Sequence, residues 1–111
     1  MKRKDEGGAG HGHRHARLEE LILEELQGLF RDDVSDPALA GVRITRLVLA
    51  IDYRSARVHH MVQGDASLQL VEQRLQRVIP FLRARIGESL DLKRVPQLHF
   101  VLDAVAPREP I

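Results

Sequence analysis

The chain has 111 residues and a formal net charge of +1; 43% of its residues are hydrophobic and 30% are charged. That length fits one domain with one modest core, and the composition is ordinary for a soluble globular protein. Because it contains no cysteine and no apolar run of about eighteen residues, the sequence excludes disulfides, thiolate zinc sites and a membrane-spanning helix. We therefore expect a single cytoplasmic domain with no membrane partner.

The N-terminal segment is rich in glycine and histidine and shows no apolar periodicity. We predict that residues 1–13 form a disordered tail, residues 14–105 the folded domain, and residues 106–111 a short C-terminal tail. Three alternating histidines could share a metal ion in an extended chain: His11, His13 and His15. The simpler interpretation is a polar tail, so we predict neither a metal site nor a cofactor.

The first predicted helix covers residues 16–30, where apolar residues recur at steps of three and four. These residues are Leu18, Leu21, Ile22, Leu26, Leu29 and Phe30. The outer side of this helix is acidic. An acidic loop follows, because Asp36 precedes Pro37 and is therefore disfavoured in a helical conformation.

A β-hairpin is predicted next. Residues 42–51 are rich in β-branched side chains, and their alternation slips near Thr45, which indicates a bulge or burial on both faces. Residues 56–62 alternate regularly and form the second strand. The neighbours His59 and His60 point to opposite faces and cannot share one ion, so we expect one to be hydrogen-bonded in the core and the other to be exposed.

A second helical stripe of apolar residues starts after Asp65 or Ser67, either of which can cap a helix, and continues to Leu90. Pro80 lies inside this stripe. Proline in a helix removes one hydrogen bond and displaces the carbonyl group four positions earlier. We therefore predict two helices that meet at a kink formed by Val78, Ile79 and Pro80.

The kink predicts a site for anions. A helix that begins at Pro80 would present free backbone N–H groups from Phe81 onward, and such helix N-termini attract phosphate. Arg77 and Arg83 lie within a turn on either side, and residues 74–94 hold six basic residues against two acidic ones. The alternative is that Pro80 only bends the helix around the core and that the arginines form a solvated face.

The last predicted strand lies within residues 93–103, where Leu98, Phe100 and Leu102 face one way. The proline-containing end of the chain, from residue 104, is not expected to continue the sheet. The predicted order is α-β-β-α-(kink)-α-β. This order describes one α+β domain with a three-stranded sheet and the helices packed on one face.

Four segments resemble the ribosome-binding factor A family, whose members are bacterial assembly factors of the small ribosomal subunit. They are "RHARLEELILEEL", "DPALAGVRIT", "DYRSARV" and "LDLKRVPQLHFVLD", in the order and spacing of the family pattern. The predicted order is also that of a type II KH-like RNA-binding domain, although the GxxG loop of KH domains is absent. The family usually has Ala-x-Gly at its kink, where this chain has Val78, Ile79 and Pro80.

The resemblance implies a non-enzymatic assembly factor that binds the immature small (30S) subunit, through its 16S rRNA and neighbouring ribosomal proteins. Such a factor assists late maturation and rRNA processing in the cytoplasm, and we expect it to be a monomer. The main phosphate contacts expected around the kink are Arg77, Arg83 and Arg85. Secondary phosphate contacts are expected from Lys93, Arg94, Arg74 and Arg17.

The residues leave two other functions open. A protein-interaction adaptor without RNA binding would use the acidic first helix and an exposed sheet edge. A metal-responsive module would use the N-terminal histidines. Catalysis is not indicated, because we find no Ser, His and Asp set with supporting motifs, no Gly-rich nucleotide loop and no paired carboxylates.

Overall fold

Two helices pack against one face of a three-stranded sheet in the computed structural model, which describes residues 8–64 and 67–106. The elements are α1 (Gly8–Asp32), a 3-10 turn (Pro37–Leu39), β1 (Val42–Leu49), β2 (Ser55–Gln63), α2 (Leu68–Ser89) and β3 (Gln97–Ala106). The predicted α+β class and three-stranded sheet are confirmed. No helix in these ranges is both long enough and apolar enough to cross a membrane.

The core lies between the helices and the sheet. Its largest fully buried side chains come from both helices and the central strand: Ile22, Leu26, Val58, Val62, Leu75, Leu82 and Ile86. Burial of one such side chain stabilises a fold by about 1.5–3 kcal/mol. The apolar stripes visible in the sequence are therefore the surfaces that join the helices to the sheet.

The first helix begins earlier than its apolar pattern predicted, at Gly8 instead of residue 16. The His15 side chain explains part of this difference, because its Nε2 lies 2.8 Å from the carbonyl oxygen of Leu49 and 3.2 Å from that of Ala50. This polar contact holds the helix to the end of β1. It could not be predicted from the spacing of apolar residues. Residues 8–13 are therefore helical where a tail was predicted. The division into tail, domain and tail otherwise stays a prediction, because residues 1–7 and 107–111 lie outside the described residues.

The predicted hairpin is confirmed: β1 and β2 pair in antiparallel fashion. The register shifts between Ile44 and Arg46, which is the predicted bulge. The extra residue lets Ile44 and Leu47 both face the core, although their spacing in the sequence has the wrong parity. Arg46 is thereby placed opposite His59, on the face of the sheet without helices.

The third strand pairs in parallel with β2, so the sheet order is β1-β2-β3. The prediction that the chain leaves the sheet at residue 104 is wrong, because Ala104, Val105 and Ala106 continue the pairing with β2. A register shift opposite His60 and Met61 adjusts the ladder before these residues. Residues 104–106 thus stay extended because they pair with the central strand, although their composition had indicated a loop.

The two helices predicted around Pro80 form one continuous helix, α2, so the prediction of two separate helices is wrong. Ser67 caps this helix, because its hydroxyl accepts a hydrogen bond from the backbone N–H of Leu70; Asp65 lies outside the described residues. Pro80 is exposed, while Leu75 and Leu82 are buried on either side of it. Contacts with the core on both sides of Pro80 therefore keep α2 continuous, and the loss of one hydrogen bond falls on the side that water reaches.

Candidate nucleic-acid interface

The exposed side of α2 carries an aromatic ring between two arginines. Arg77, Phe81 and Arg85 follow one another at single helical turns, and we call these three residues the α2 stripe. Phe81 is 39% exposed, and the guanidinium carbon of Arg85 lies 5.6 Å from the centre of its ring. No role for the Phe81 side chain was predicted from the sequence. Its spacing of four from both arginines was the signal that could have placed it on their side of the helix.

Two arginines of α2 are paired with acidic residues that follow α1. Arg74 donates two hydrogen bonds to the Asp36 carboxylate, at 2.8 and 2.7 Å, and Arg85 lies 2.9 Å from a carboxylate oxygen of Asp33. The hydrogen bond from Arg74, with a second from the backbone N–H of Ala38, lowers the pKa of the Asp36 carboxyl. These pairings reduce the charge that Arg74 and Arg85 offer to an outside anion.

Arg83 has a structural contact instead of an open guanidinium group. Its Nε donates to the carbonyl oxygen of Pro96 at 3.0 Å, and its terminal nitrogen donates to that of Val95 at 2.6 Å. The half-buried side chain therefore ties α2 to the loop before β3. That loop carries Lys93 and Arg94, which are both exposed. Arg83 therefore helps to position two surface cations, although its own side chain is half-buried.

The remaining predicted cations divide into two groups. Arg77, Lys93 and Arg94 are exposed and form no salt bridge or side-chain hydrogen bond with any described residue. Arg17 lies on α1, 3.6 Å from Glu20, and belongs to a different element. The structure thus places exposed cations at two separate positions, on the α2 stripe and on the loop after α2, which Arg83 contacts from another side of the helix. Arg17 lies apart from both positions, on α1.

The anion site predicted at the kink is not formed. Phe81 and Leu82 lie inside α2, where the backbone continues in helical hydrogen bonding across Pro80. A helix N-terminus is therefore absent from residues 78–82, and Val78 and Ile79 are half-buried within the turn. Any phosphate bound here would be held by side chains and not by backbone N–H groups.

The paired histidines point to opposite faces and one faces the core, as predicted, but the predicted hydrogen bonding of one and exposure of the other are wrong. His60 faces the core, but its Nδ1 is buried and has no hydrogen-bond partner among the described residues. Burial lowers the pKa of His60, so this ring is neutral at pH 7. His59 faces away from the helices yet is only 8% exposed, because Asp103 and Arg46 cover its two ring nitrogens.

Polar side chains in the segments assigned to the two alternative functions mainly support the fold. Glu19 accepts a hydrogen bond from the backbone N–H of Leu49 at 2.9 Å, and Gln27 donates to the carbonyl of Ile44 at 3.0 Å, so α1 covers part of the β1 edge. His15 is engaged with the end of β1, and the side chain of His11 lies outside the described residues. Within the part of the chain that the structure describes, no three acidic or histidine side chains form a metal-binding group.

An apolar groove of about 450 Å³ lies between α2 and β3. Its lining includes His60, Leu68, Leu75 and Leu102, and its only charged member is Glu72. A groove with this lining repels phosphate, since a carboxylate stands at its rim and no cation does. The groove therefore offers no cation to a phosphate, unlike the α2 stripe and the following loop.

Comparison with known proteins identifies one family. The family model for ribosome-binding factor A matches residues 14–109. Ribosome-binding factor A of Heliobacterium modesticaldum is 41% identical over 93 residues, which cover 83% of this chain and 77% of the relative. That of Desulforamulus reducens is 35% identical over 92 residues, which cover 82% and 77%.

Two solved structures have a similar fold. The crystal structure of ribosome-binding factor A from Thermus thermophilus superposes with a TM-score of 0.59 at 23% identity, over 81% of this chain and 92% of that one. A homology model of the Thermus thermophilus protein, fitted into a cryo-EM map of a 30S complex, gives a TM-score of 0.57 at 22% identity. The match covers 80% of this chain and 90% of that one.

Proposed function

Because this chain belongs to the ribosome-binding factor A family, we propose that it binds the small ribosomal subunit and serves as a non-catalytic assembly factor. The Thermus thermophilus relative, fitted into the map of a 30S complex, supports the choice of partner. We extend the proposal to the immature subunit in the cytoplasm, with one copy of the chain assisting late maturation and processing of the 16S rRNA.

The observation that carries the proposal is the set of exposed cations on α2 and on the loop that follows it. Arg77 and the loop residues Lys93 and Arg94 are exposed and without partners among the described residues, and Phe81 offers part of its ring beside Arg85. Cations that meet phosphates supply most of the affinity for nucleic acid, and an exposed aromatic ring allows a base to stack. Arg83 contributes by holding the loop in place. Sequence-specific reading of bases is not part of this role, since phosphate contacts carry no sequence information.

Titration against purified ribosomal particles tests the proposal. The chain should bind free small subunits, and bind large subunits far more weakly, with an affinity that falls steeply as salt rises. The substitutions Arg77→Gln and Arg94→Gln together should lower the affinity and reduce the salt slope by about two, one for each lost phosphate contact. Arg14→Gln with Arg31→Gln removes the same charge from α1 and is the matched control. Equal affinity for both subunits, or none for the small one, would overturn the proposal.

A further inference from the structure

The sheet has a second face that carries no helix, and this face is basic. We call it the open sheet face. Strand alternation and register place Arg43 opposite Met61, Arg46 opposite His59, and Arg57 between Val48 and His99. Its exposed cationic and histidine side chains are Arg43, Arg46, Arg57 and His99. Each of three successive rows across the sheet therefore contains an arginine, and rows two residues apart are separated by about 7 Å.

Almost no negative charge opposes these arginines. Asp103 is the only acidic residue in the three strands, and its carboxylate lies 2.8 Å from His59 Nδ1, within hydrogen-bond distance. Arg43, Arg46 and Arg57 form no salt bridge with any residue in the ranges 8–64 and 67–106. The positive charge of this face is therefore available to an outside anion.

Two of the arginines are held over the sheet by neutral groups. One terminal nitrogen of Arg43 donates to the carbonyl oxygens of Ala40 and Val42, at 3.0 and 3.2 Å. A terminal nitrogen of Arg46 lies 3.4 Å from His59 Nε2. A guanidinium group has five N–H donors, so each of these side chains keeps donors for a ligand while its direction is restricted. Ordered cations of this kind lose less entropy on binding than freely rotating ones.

From these observations we propose that the open sheet face binds the phosphate backbone of a second RNA segment, on the side of the molecule opposite the α2 stripe. This inference rests on the proposed function, because the binding of a small ribosomal subunit supplies the RNA. The face is a sheet surface with cations in successive rows, which matches a chain of phosphates better than a single small anion. Half-buried Met61 and Val101 lie between the arginines and supply apolar contact area. The protein then lies between two RNA segments.

The test compares three double variants of the full chain. Arg46→Gln with Arg57→Gln alters the open sheet face. Arg77→Gln with Arg94→Gln alters α2 and the loop that follows it, which we call the helix side. Arg14→Gln with Arg31→Gln is the control. Affinity for small subunits and for purified 16S rRNA is measured between about 50 and 200 mM salt, the range over which phosphate contacts dominate. The sheet variant should weaken binding to both by about tenfold per arginine and lower the salt slope by about two.

The outcomes separate this inference from the function on which it rests. If the parent and the control variant bind small subunits, and the sheet variant binds equally well, the open sheet face is not an RNA surface and the proposed function stands. If the sheet variant loses affinity for subunits but not for 16S rRNA, the face meets a ribosomal protein and the RNA assignment is overturned. If the parent does not bind small subunits, the proposed function itself fails.

A charge-retaining variant keeps the test independent of folding. Arg46→Lys with Arg57→Lys should recover most of the affinity, because lysine also binds phosphate as a point charge. Thermal midpoints of all variants should match the parent, since substitutions at exposed positions change stability little. A lysine variant as weak as the glutamine variant would contradict a phosphate contact.

Discussion

The α2 stripe and the open sheet face contain the same kind of residue in opposite settings. Along α2 the arginines are dense in the sequence, but Arg74 is paired with Asp36, Arg85 with Asp33, and Arg83 with two carbonyl groups. On the sheet the arginines are scattered through two strands and have no acidic partner among the described residues. A run of cations in the sequence therefore does not measure the charge that a surface offers. The difference arises because the acidic partners come from a distant loop.

Replacement of Pro80 gives the largest expected effect on the helix side. Since α2 is already one helix, Pro80→Ala should restore the hydrogen bond of the Gln76 carbonyl and stabilise the protein by up to about 3 kcal/mol. Affinity for small subunits should not change, because no helix N-terminus is lost. Urea unfolding and subunit titration measure the two quantities. Ala84→Gly, on the same exposed side, is the control and should destabilise by about 1 kcal/mol. Weaker subunit binding by Pro80→Ala would mean that the backbone shape around Pro80 forms part of the interface.

Arg83 and Arg77 differ in burial, and the contrast predicts different consequences for them. Arg83→Ala leaves the carbonyl groups of Pro96 and Val95 without their donor and should cost about 1–3 kcal/mol. Arg77→Ala should leave stability within about 0.5 kcal/mol of the parent but weaken subunit binding. Chemical unfolding and amide hydrogen exchange in residues 92–96 distinguish them. Unchanged exchange in the Arg83 variant would show that another contact holds the loop.

The neighbours His59 and His60 are both buried, but only His59 has a hydrogen-bond partner for its Nδ1 among the described residues. Burial lowers the pKa of His60 in the folded state, so the unfolded chain binds more protons below its ordinary value of 6.5. The stability that His60 contributes is present above that pH and is lost as the pH falls below it. In His60→Gln the free energy of unfolding should therefore change less between pH 7 and pH 5. An unaltered pH profile would place the source of acid sensitivity elsewhere.

Removal of one acidic partner should leave an arginine of the helix side unpaired, as the arginines of the sheet are among the described residues. Of the four predictions, this one has the smallest expected effect. Asp36→Asn frees Arg74 from its ion pair while an amide oxygen still accepts from the Ala38 N–H, so affinity for small subunits should rise modestly. The pKa of Asp36 is lowered from 3.8, so its contribution to stability is lost as the pH falls below that value. The variant should lack this acid-dependent loss. Unchanged affinity would place Arg74 outside the interface.

The sequence predicted those parts of the fold that depend on local periodicity. The apolar stripes of α1 and α2, the hairpin and the bulge near Thr45 all follow from patterns within one element. The unbroken α2 could not be predicted in this way, because buried Leu75 and Leu82 override the preference of Pro80 through contacts with the rest of the core. The extension of β3 to Ala106 likewise depends on a strand that lies about forty residues earlier in the chain.

The candidate site was predicted in outline only. The basic character of α2 and the loop after it was visible in the sequence, and so was the position of Arg77. The pairing of Arg74 with Asp36 joins residues that are 38 apart, and the contact of His59 with Asp103 joins residues that are 44 apart. No local pattern reports such contacts. They decide which cations remain available, so the charge balance of each face requires the tertiary structure.

A cryo-EM reconstruction of the chain bound to the immature small subunit would locate both proposed RNA surfaces in a single experiment. We predict density for rRNA phosphates beside Arg77 and Arg94 on the helix side, and beside Arg46 and Arg57 on the open sheet face. The two groups of phosphates should belong to different RNA segments. A complex in which the helix side faces solvent would contradict the RNA surface proposed there, and a solvent-exposed sheet face would contradict the second RNA surface.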